Sequence, residues 1–405
     1  MDMGLHRVRA ALDALGLLNP PCAAAKVLGT NGKGSTSTFL AASLTASGAR
    51  TGLYTSPHFL SPRERILVDA APLPDQAWID AAHAVLEVSA DRGDAFRLTY
   101  FELLTVMAAW LFREAGCRAA VFEAGLGGAH DATTALPAHL SVYTPIGMDH
   151  AAVLGPSVES IASDKAGAMR PGVPVVCGIQ PPEALAVLAS AAARAGAPFH
   201  HAAHVAALHG ASWPSRPAMP GPHQQDNWLL ALAARQLLAE AAPGLVPVAD
   251  PEALEQAARQ AFIPGRFQRV PAEPPLPALI LDGAHNAPGL ECLARALAYA
   301  GVVPSAMVFS CLADKDLETM LPLARALTPG AILVPGFEAC GRAPDPEALA
   351  RVLGPRARPV RDAAQALELL HGQEGTVLVC GSLYLLAEVF RCQPAWMAAP
   401  HCLRP

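Results

Sequence analysis

Val27-Leu28-Gly29-Thr30-Asn31-Gly32-Lys33-Gly34-Ser35 is the stretch from which the rest of the chain can be read. A short apolar run enters it, and a helical pattern from Ser35 to Ser47 leaves it and stops at Gly48. A glycine-rich turn between strand and helix lets backbone N–H groups close around phosphate oxygens, while the helix N-terminus and Lys33 add positive charge. The Ser35 hydroxyl is then placed to ligate Mg²⁺. The strict eight-residue phosphate-loop spacing is not met, because Gly29 lies only three residues before Gly32. A nucleotide loop and a plain glycine-rich turn are therefore both open on this stretch alone.

Working outward, apolar β-like runs alternate with helical patterns, which predicts an α/β fold with a mostly parallel sheet. Strands are expected at 26–28, 51–54, 119–123, 140–144 and 173–178, and helices at about 75–91, 99–115, 157–170, 182–195, 225–241 and 251–261. Proline punctuation follows at Pro264, Pro271, Pro274, Pro275 and Pro277. It divides the chain into a phosphate-loop-type domain over 1–264, a linker over 265–277 and a smaller doubly wound, Rossmann-like domain over 278–405. In that last part strands are expected at 278–282, 306–310, 331–334 and 376–380.

Composition narrows the classes. With 405 residues, 52% hydrophobic and 16% charged, the chain can bury more than one core. The longest apolar runs, near 103–112 and 184–193, are about half a bilayer span and read as buried helices. The first twenty residues have amphipathic rather than signal-like spacing. A cytoplasmic protein without a membrane partner is expected. A net charge of −6 with no basic run argues against a nucleic-acid partner. Nine scattered cysteines with no C-x-x-C pair fit a reducing compartment. His200, His201, His204 and His209 cluster in an alanine-rich segment without acidic or cysteine partners, and are expected in a solvated loop rather than around a metal.

In open α/β sheets ligands bind beyond the carboxyl ends of the strands, where several polar residues fall. Glu123 ends one apolar run and precedes Gly125-Leu126-Gly127-Gly128; Asp149-His150 follows another. Facing one phosphate site, such groups suit Mg²⁺, although imidazole is an unusual ligand for so hard an ion. A capping or ion-pair role for Glu123 is equally open. Lys165 sits in the apolar stripe of a helix that starts at Ser157 as N-cap and ends at Pro171-Gly172. Such a lysine snorkels to solvent, pairs with phosphate, or is converted by CO₂ to a carbamate that ligates metal. Further on, Asp282 can accept from a ribose hydroxyl and His285 can approach phosphate; turn and capping roles are the alternative here and for Asp314-Lys315-Asp316.

Taken together, these segments resemble the folylpolyglutamate synthase and dihydrofolate synthase family, a branch of the Mur ligases. The likeness runs from Asp2 to about Phe390 and keeps the motifs in family order. They are the glycine-rich loop, Ser56-Pro57-His58, Leu98-Thr99-Tyr100-Phe101-Glu102, Glu123 to Gly128, Asp131-Ala132-Thr133 and Asp149-His150. Asp164-Lys165-Ala166-Gly167, Pro264 to Gln268, Asp282 to Asn286 and Asp314 to Asp316 complete the series.

The resemblance implies an ATP-dependent ligase that joins L-glutamate to dihydropteroate, to folates or to both, through an acyl phosphate. It implies that Thr30, Asn31, Gly32, Lys33, Gly34 and Ser35, with Asn227, Arg266, Asp282 and His285, hold ATP. Ser35, Ser56, Glu123, His150 and a carboxylated Lys165 would hold Mg²⁺, with two sites and a monovalent cation such as K⁺. Lys33, Glu123, His150 and Lys165 would be catalytic. Asp2, Met3, Gly4, Thr99, Tyr100, Phe101, Glu102, His130, Asp131 and Ala132 would hold the acceptor, and the protein would act as a monomer. Ala129-His130 stands where the family has Arg-Leu, which leaves room for a different acceptor or amino acid; a non-ligating ATP-binding paralogue is the remaining alternative.

Overall fold

The computed structural model describes residues 5–90, 97–206, 213–214, 217–337, 342 and 345–398. These form two compact units, one of residues 1–215 and 226–261, the other of 216–225 and 262–405.

The first unit is built on eight strands: β1 (Ala23–Leu28), β2 (Thr51–Tyr54), β3 (Ile66–Val68), β4 (Ala71–Pro72), β5 (Ala119–Glu123), β6 (Leu140–Tyr143), β7 (Val175–Cys177) and β8 (Phe199–His201). Their order is β4-β3-β2-β5-β1-β6-β7-β8, parallel except for β3 and β4 at one edge. All six residues of β1 are buried, as expected for a strand covered on both faces, where an alternating pattern would expose polar backbone neighbours for no gain. Around it lie α1 (His6–Ala14), α2 (Lys33–Ala46), α3 (Asp75–Ala90), α4 (Tyr100–Glu114), α5 (Ala151–Leu154), α6 (Val158–Ala166), α7 (Pro182–Arg194), α8 (Ala202–Ala206), α9 (Pro222–Ala241) and α10 (Pro251–Gln260), the first four residues of α9 falling in the second unit. One apolar cluster joins α1 and α4 to β2 and β5 through Leu12, Tyr54, Leu104, Phe112 and Phe122. Another joins α6 and α7 to β6 and β7 through Tyr143, Ile161, Val175 and Leu188.

The second unit carries β9 (Gln268–Val270), β10 (Ala278–Leu281), β11 (Ala306–Phe309), β12 (Ala331–Pro335), β13 (Ala357–Val360) and β14 (Thr376–Cys380), ordered β13-β12-β11-β14-β10-β9. Only β9 runs antiparallel. Helices α11 (Ala287–Tyr299), α12 (Leu317–Ala326), α13 (Pro346–Leu353), α14 (Ala363–Leu369) and α15 (Leu383–Cys392) alternate with the parallel strands, and Leu290, Phe309, Leu321, Val334 and Leu378 fill the core between them.

Differences from the sequence expectation fall on short or edge elements. The stretch read as linker contains β9, whose Gln-Arg-Val sequence gives no apolar signal and which is a strand because it pairs with β10. The expected solvated histidine loop is ordered: His200 and His201 lie in β8 and His204 in α8, while His209 lies outside the described residues. The expected 157–170 helix ends at Ala166, with Gly167 as cap, well before Pro171. The two apolar runs are helices α4 and α7, and among the described residues no helix is long and apolar enough to cross a membrane.

Candidate active site

The glycine-rich loop follows β1 and closes into α2. Gly32 caps that helix with φ +83°, a left-handed conformation that favours glycine. A Cβ there would also lie 2.6 Å from Asn227 Oδ1. Thr30 and Asn31 N–H both donate to the Pro145 carbonyl (3.0 and 3.2 Å), and Gly147 N–H donates to Thr30 Oγ1 at 3.1 Å. The loop is thus fixed to the segment after β6. Gly29 packs so closely on Thr144 that a Cβ would fall 1.9 Å from its Oγ1. Lys33 Nζ donates to Thr30 O at 3.0 Å, while Ser35 is buried in the first turn. Asn227, from α9, accepts from Thr36 Oγ1 at 3.3 Å, so it braces the loop from behind.

Beside the loop, β5 delivers Glu123 at its carboxyl end. It is 4% exposed, and its Oε2 accepts from Ser56 N–H at 3.1 Å. Lys165, on α6, is also 4% exposed. Burial and then the Lys33 charge push its amine from an ordinary 10.5 down to about 7, against the opposing pull of Asp164, Asp131 and Asp149. This burial speaks against the snorkelling reading of the lysine. Gly127 and Gly128 permit it: a Cβ on Gly128 would lie 2.5 Å from Lys165 Cα, and one on Gly127 2.4 Å from Asp164 Oδ2. His150 caps α5 with φ +53°, and its side chain is 44% exposed with Nε2 3.9 Å from Asp149.

The residues expected to hold the acceptor divide by role. Asp131 is turned inward. Its Oδ2 accepts from Gly125 and Leu126 N–H (2.8 and 2.9 Å) and its Oδ1 from Thr133 N–H (3.0 Å). Burial raises its pKa, and these hydrogen bonds hold the rise in check. Asp131 therefore shapes the loop after Glu123, and Ala132 is buried behind it. Glu102 pairs with Arg7 (Nη2 to Oε1, 2.9 Å) and accepts from Thr99 N–H (2.7 Å). Tyr100 is exposed, with the Arg65 guanidinium 5.7 Å from its ring centroid. Phe101 lies against Gly125, where a Cβ would be 2.6 Å from Cζ, and His130 is exposed. Asp2, Met3 and Gly4 lie outside the described residues.

In the second unit, Asp282 follows β10 and accepts from Phe267 and Ala284 N–H (2.8 and 2.9 Å). Burial raises its pKa, opposed chiefly by the Arg266 charge. The Arg266 guanidinium occupies the space that a side chain at residue 283 would need, its Nη1 lying 2.2 Å from a Cβ built on Gly283. His285 Nδ1 lies 2.8 Å from Gly283 O, Asn286 caps α11 and Asp316 caps α12. Capping roles are thus seen at Asn286 and Asp316, while Asp314 pairs with Arg342. Sequence reasoning missed Arg7 and His223. Arg7 shares the buried face of α1 with Val8, Ala11 and Leu12, a spacing that could have revealed it. His223 falls at a helix start with no periodic signal.

Among the described residues no three of His, Cys, Asp and Glu converge to hold a metal. The residues expected to hold Mg²⁺ offer hard oxygens at Ser35, Ser56 and one carboxylate, Glu123, beside the His150 imidazole and the Lys165 nitrogen. These oxygens fit Mg²⁺, which takes one or two carboxylates and completes its shell with water and phosphate.

A family profile described as "Mur ligase, glutamate ligase domain" matches residues 265–383. Escherichia coli dihydrofolate synthase/folylpolyglutamate synthase is 34% identical over 409 residues, covering 96% of this chain and 91% of that protein. Among solved structures, E. coli FolC in complex with DHPP and ADP superposes with a TM-score of 0.83 at 30% identity, over 98% of this chain and 95% of that one. The bifunctional folylpolyglutamate synthase/dihydrofolate synthase of Yersinia pestis, complexed with AMPPNP and Mn ion, gives 0.82 at 31%, over 97% and 94%.

Proposed function

This chain belongs to the folylpolyglutamate synthase and dihydrofolate synthase family, and from that premise we propose how its own residues perform the reaction. It is an ATP-dependent ligase that joins L-glutamate to dihydropteroate, to folates or to both. A carboxylate does not condense with an amine at neutral pH unless it is activated. ATP transfers its γ-phosphoryl group to the acceptor carboxylate, glutamate's amine attacks the resulting acyl phosphate, and phosphate leaves.

The observation that carries the assignment of residues is that Lys33 and Ser35 stand in the first turn of α2, just after β1, while Glu123 ends the neighbouring strand β5 in register with Val27. The amides from Gly32 to Ser35, with Lys33 Nζ, take the phosphate oxygens, since Thr30 and Asn31 N–H are held by the Pro145 carbonyl. Ser35, Ser56 and Glu123 hold Mg²⁺, which, when bound, neutralises charge on the transferring group. Lys165 joins that set only as a carbamate. We assign acceptor contact to the exposed Tyr100 and His130, and to Thr99 and Phe101 around them, with Asp131 and Glu102 holding that surface in shape. A K⁺ requirement belongs to the same proposal, as does the allocation of ATP and acceptor to residues 1–264 and of glutamate to 278–405.

One assay tests the reading. Purified protein is given MgATP, glutamate and, separately, dihydropteroate or tetrahydrofolate; ADP release and product mass are read, in K⁺ and in Na⁺. Lys33→Ala and Glu123→Ala are expected to lose on the order of 10²–10³ in turnover while staying folded. Near-normal turnover by both would overturn the assignments.

A further inference from the structure

The phosphate and Mg²⁺ chemistry proposed above is assigned to residues beyond the carboxyl ends of the first unit's strands. At the opposite, amino end of the same strands, an open groove of about 610 Å³ is walled in part by segments that lead into strands. Asn19 precedes β1, Pro137 precedes β6 and Arg170 precedes β7, with Arg9 of α1 and Met169 completing the wall. The groove is cationic. Among the described residues no carboxylate lines it, and Lys26, within β1, lies buried and feels the charge of both arginines.

Two of these three basic side chains share one backbone acceptor. Lys26 Nζ donates to Thr134 O at 3.1 Å, and Arg170 Nη2 donates to the same oxygen at 2.6 Å, as well as to Ala135 and Leu136 O. Arg9 is exposed and makes no ion pair among the described residues. Their charges are felt mutually: after burial, Arg9 lowers the pKa of Arg170, and Arg170 and Arg9 lower that of Lys26. Asp131 is the one carboxylate that opposes this at Lys26, and its oxygens already serve the loop amides. Burial and the two arginines draw the Lys26 amine toward its neutral form, so the charge facing the groove is that of Arg9 and Arg170, and an anion between them would relieve the repulsion that Arg170 feels from Arg9.

We propose that this groove binds a small anion bearing two or more negative charges, held by the Arg9 guanidinium and by the Arg170 nitrogens that the carbonyls leave unused. The apolar wall at Pro137 and Met169 leaves room for a body behind the charged group. Two sources offer this chemistry, a phosphate group or a run of γ-linked carboxylates. The inference rests on the groove's own residues and not on the nucleotide assignment.

Titration calorimetry on the full chain, with inorganic phosphate and with γ-linked triglutamate as probes, separates these sources. At least one probe is expected to bind wild type and Lys33→Ala alike, which excludes the phosphate loop as the place of binding. Arg9→Glu, on an exposed helix position, should weaken that probe by about tenfold or more, the loss that removal of a charge-assisted hydrogen bond brings, and Arg9→Lys should keep most of the affinity. Binding of neither probe at millimolar concentration would overturn the proposal. So would binding unchanged in Arg9→Glu, or binding that disappears in Lys33→Ala.

Discussion

Lys165 shows how much a single side chain can be made to do by its surroundings. Its amine is buried, beside Lys33, and pushed down to about 7, so at neutral pH a large share of it is uncharged and nucleophilic. In the proposed carboxylation that nitrogen would attack CO₂, forming a C–N bond with release of one proton and leaving the side chain an anion. Repulsion from Lys33 then turns into attraction. We expect a carbamate carbon in ¹³C spectra of the protein in ¹³C-bicarbonate, growing between pH 6 and 8 and absent from Lys165→Arg. A wild-type spectrum without it at pH 8 would remove Lys165 from the metal-binding set. The position of this lysine in an apolar stripe was legible in the sequence. Its neighbours were not, because Lys33, Asp131 and Asp149 come from loops that only the sheet order brings together.

At the scale of elements, α4 is tied down twice. Thr99 caps it and Glu102 caps Thr99 in return, while Glu102 also neutralises Arg7 of α1 across the first core. Thr99→Ala is expected to cost about 1 kcal/mol, the usual value of an N-cap. Arg7→Met should cost more, about 3–5 kcal/mol, because it leaves a buried carboxylate without its partner. Replacing both members, as Arg7→Met with Glu102→Leu, should recover part of that loss. Urea melts of the three variants check the order; a Thr99→Ala loss as large as that of Arg7→Met would contradict it. Helix α4 itself was predictable from its cap and apolar run. The ion pair was not, since a 95-residue separation leaves no local trace. The same reason hides β9 and β13, which are strands by virtue of their neighbours rather than their own residues.

For the whole molecule, buried titratable groups set the pH window. His223 is pushed from 6.5 down to about 4 by burial and by Arg295 and Arg266. Between those values the unfolded chain holds a proton that the folded one does not, so stability rises with pH there, by a few kcal/mol at most. The thiols act oppositely at the other end. Burial raises Cys22 and Cys177 to about 11 and Cys117 and Cys311 to about 12. Above pH 9 the unfolded chain loses protons that the folded one keeps, and stability falls. The urea midpoint should climb from pH 4 to 6.5 and drop above 9, with the acid limb flattened in His223→Leu; an unchanged acid limb in that variant would assign the slope elsewhere. The sequence by itself determined the α/β class, the glycine-rich turn between β1 and α2 and the central strands, because local periodicity and glycine spacing encode elements that the tertiary structure keeps. Only the folded structure decided that Asp131 faces inward, that Glu102 belongs to Arg7 and that Lys26, Arg9 and Arg170 share one edge. Burial and long-range charge arise from packing, which residues far apart in the chain specify jointly.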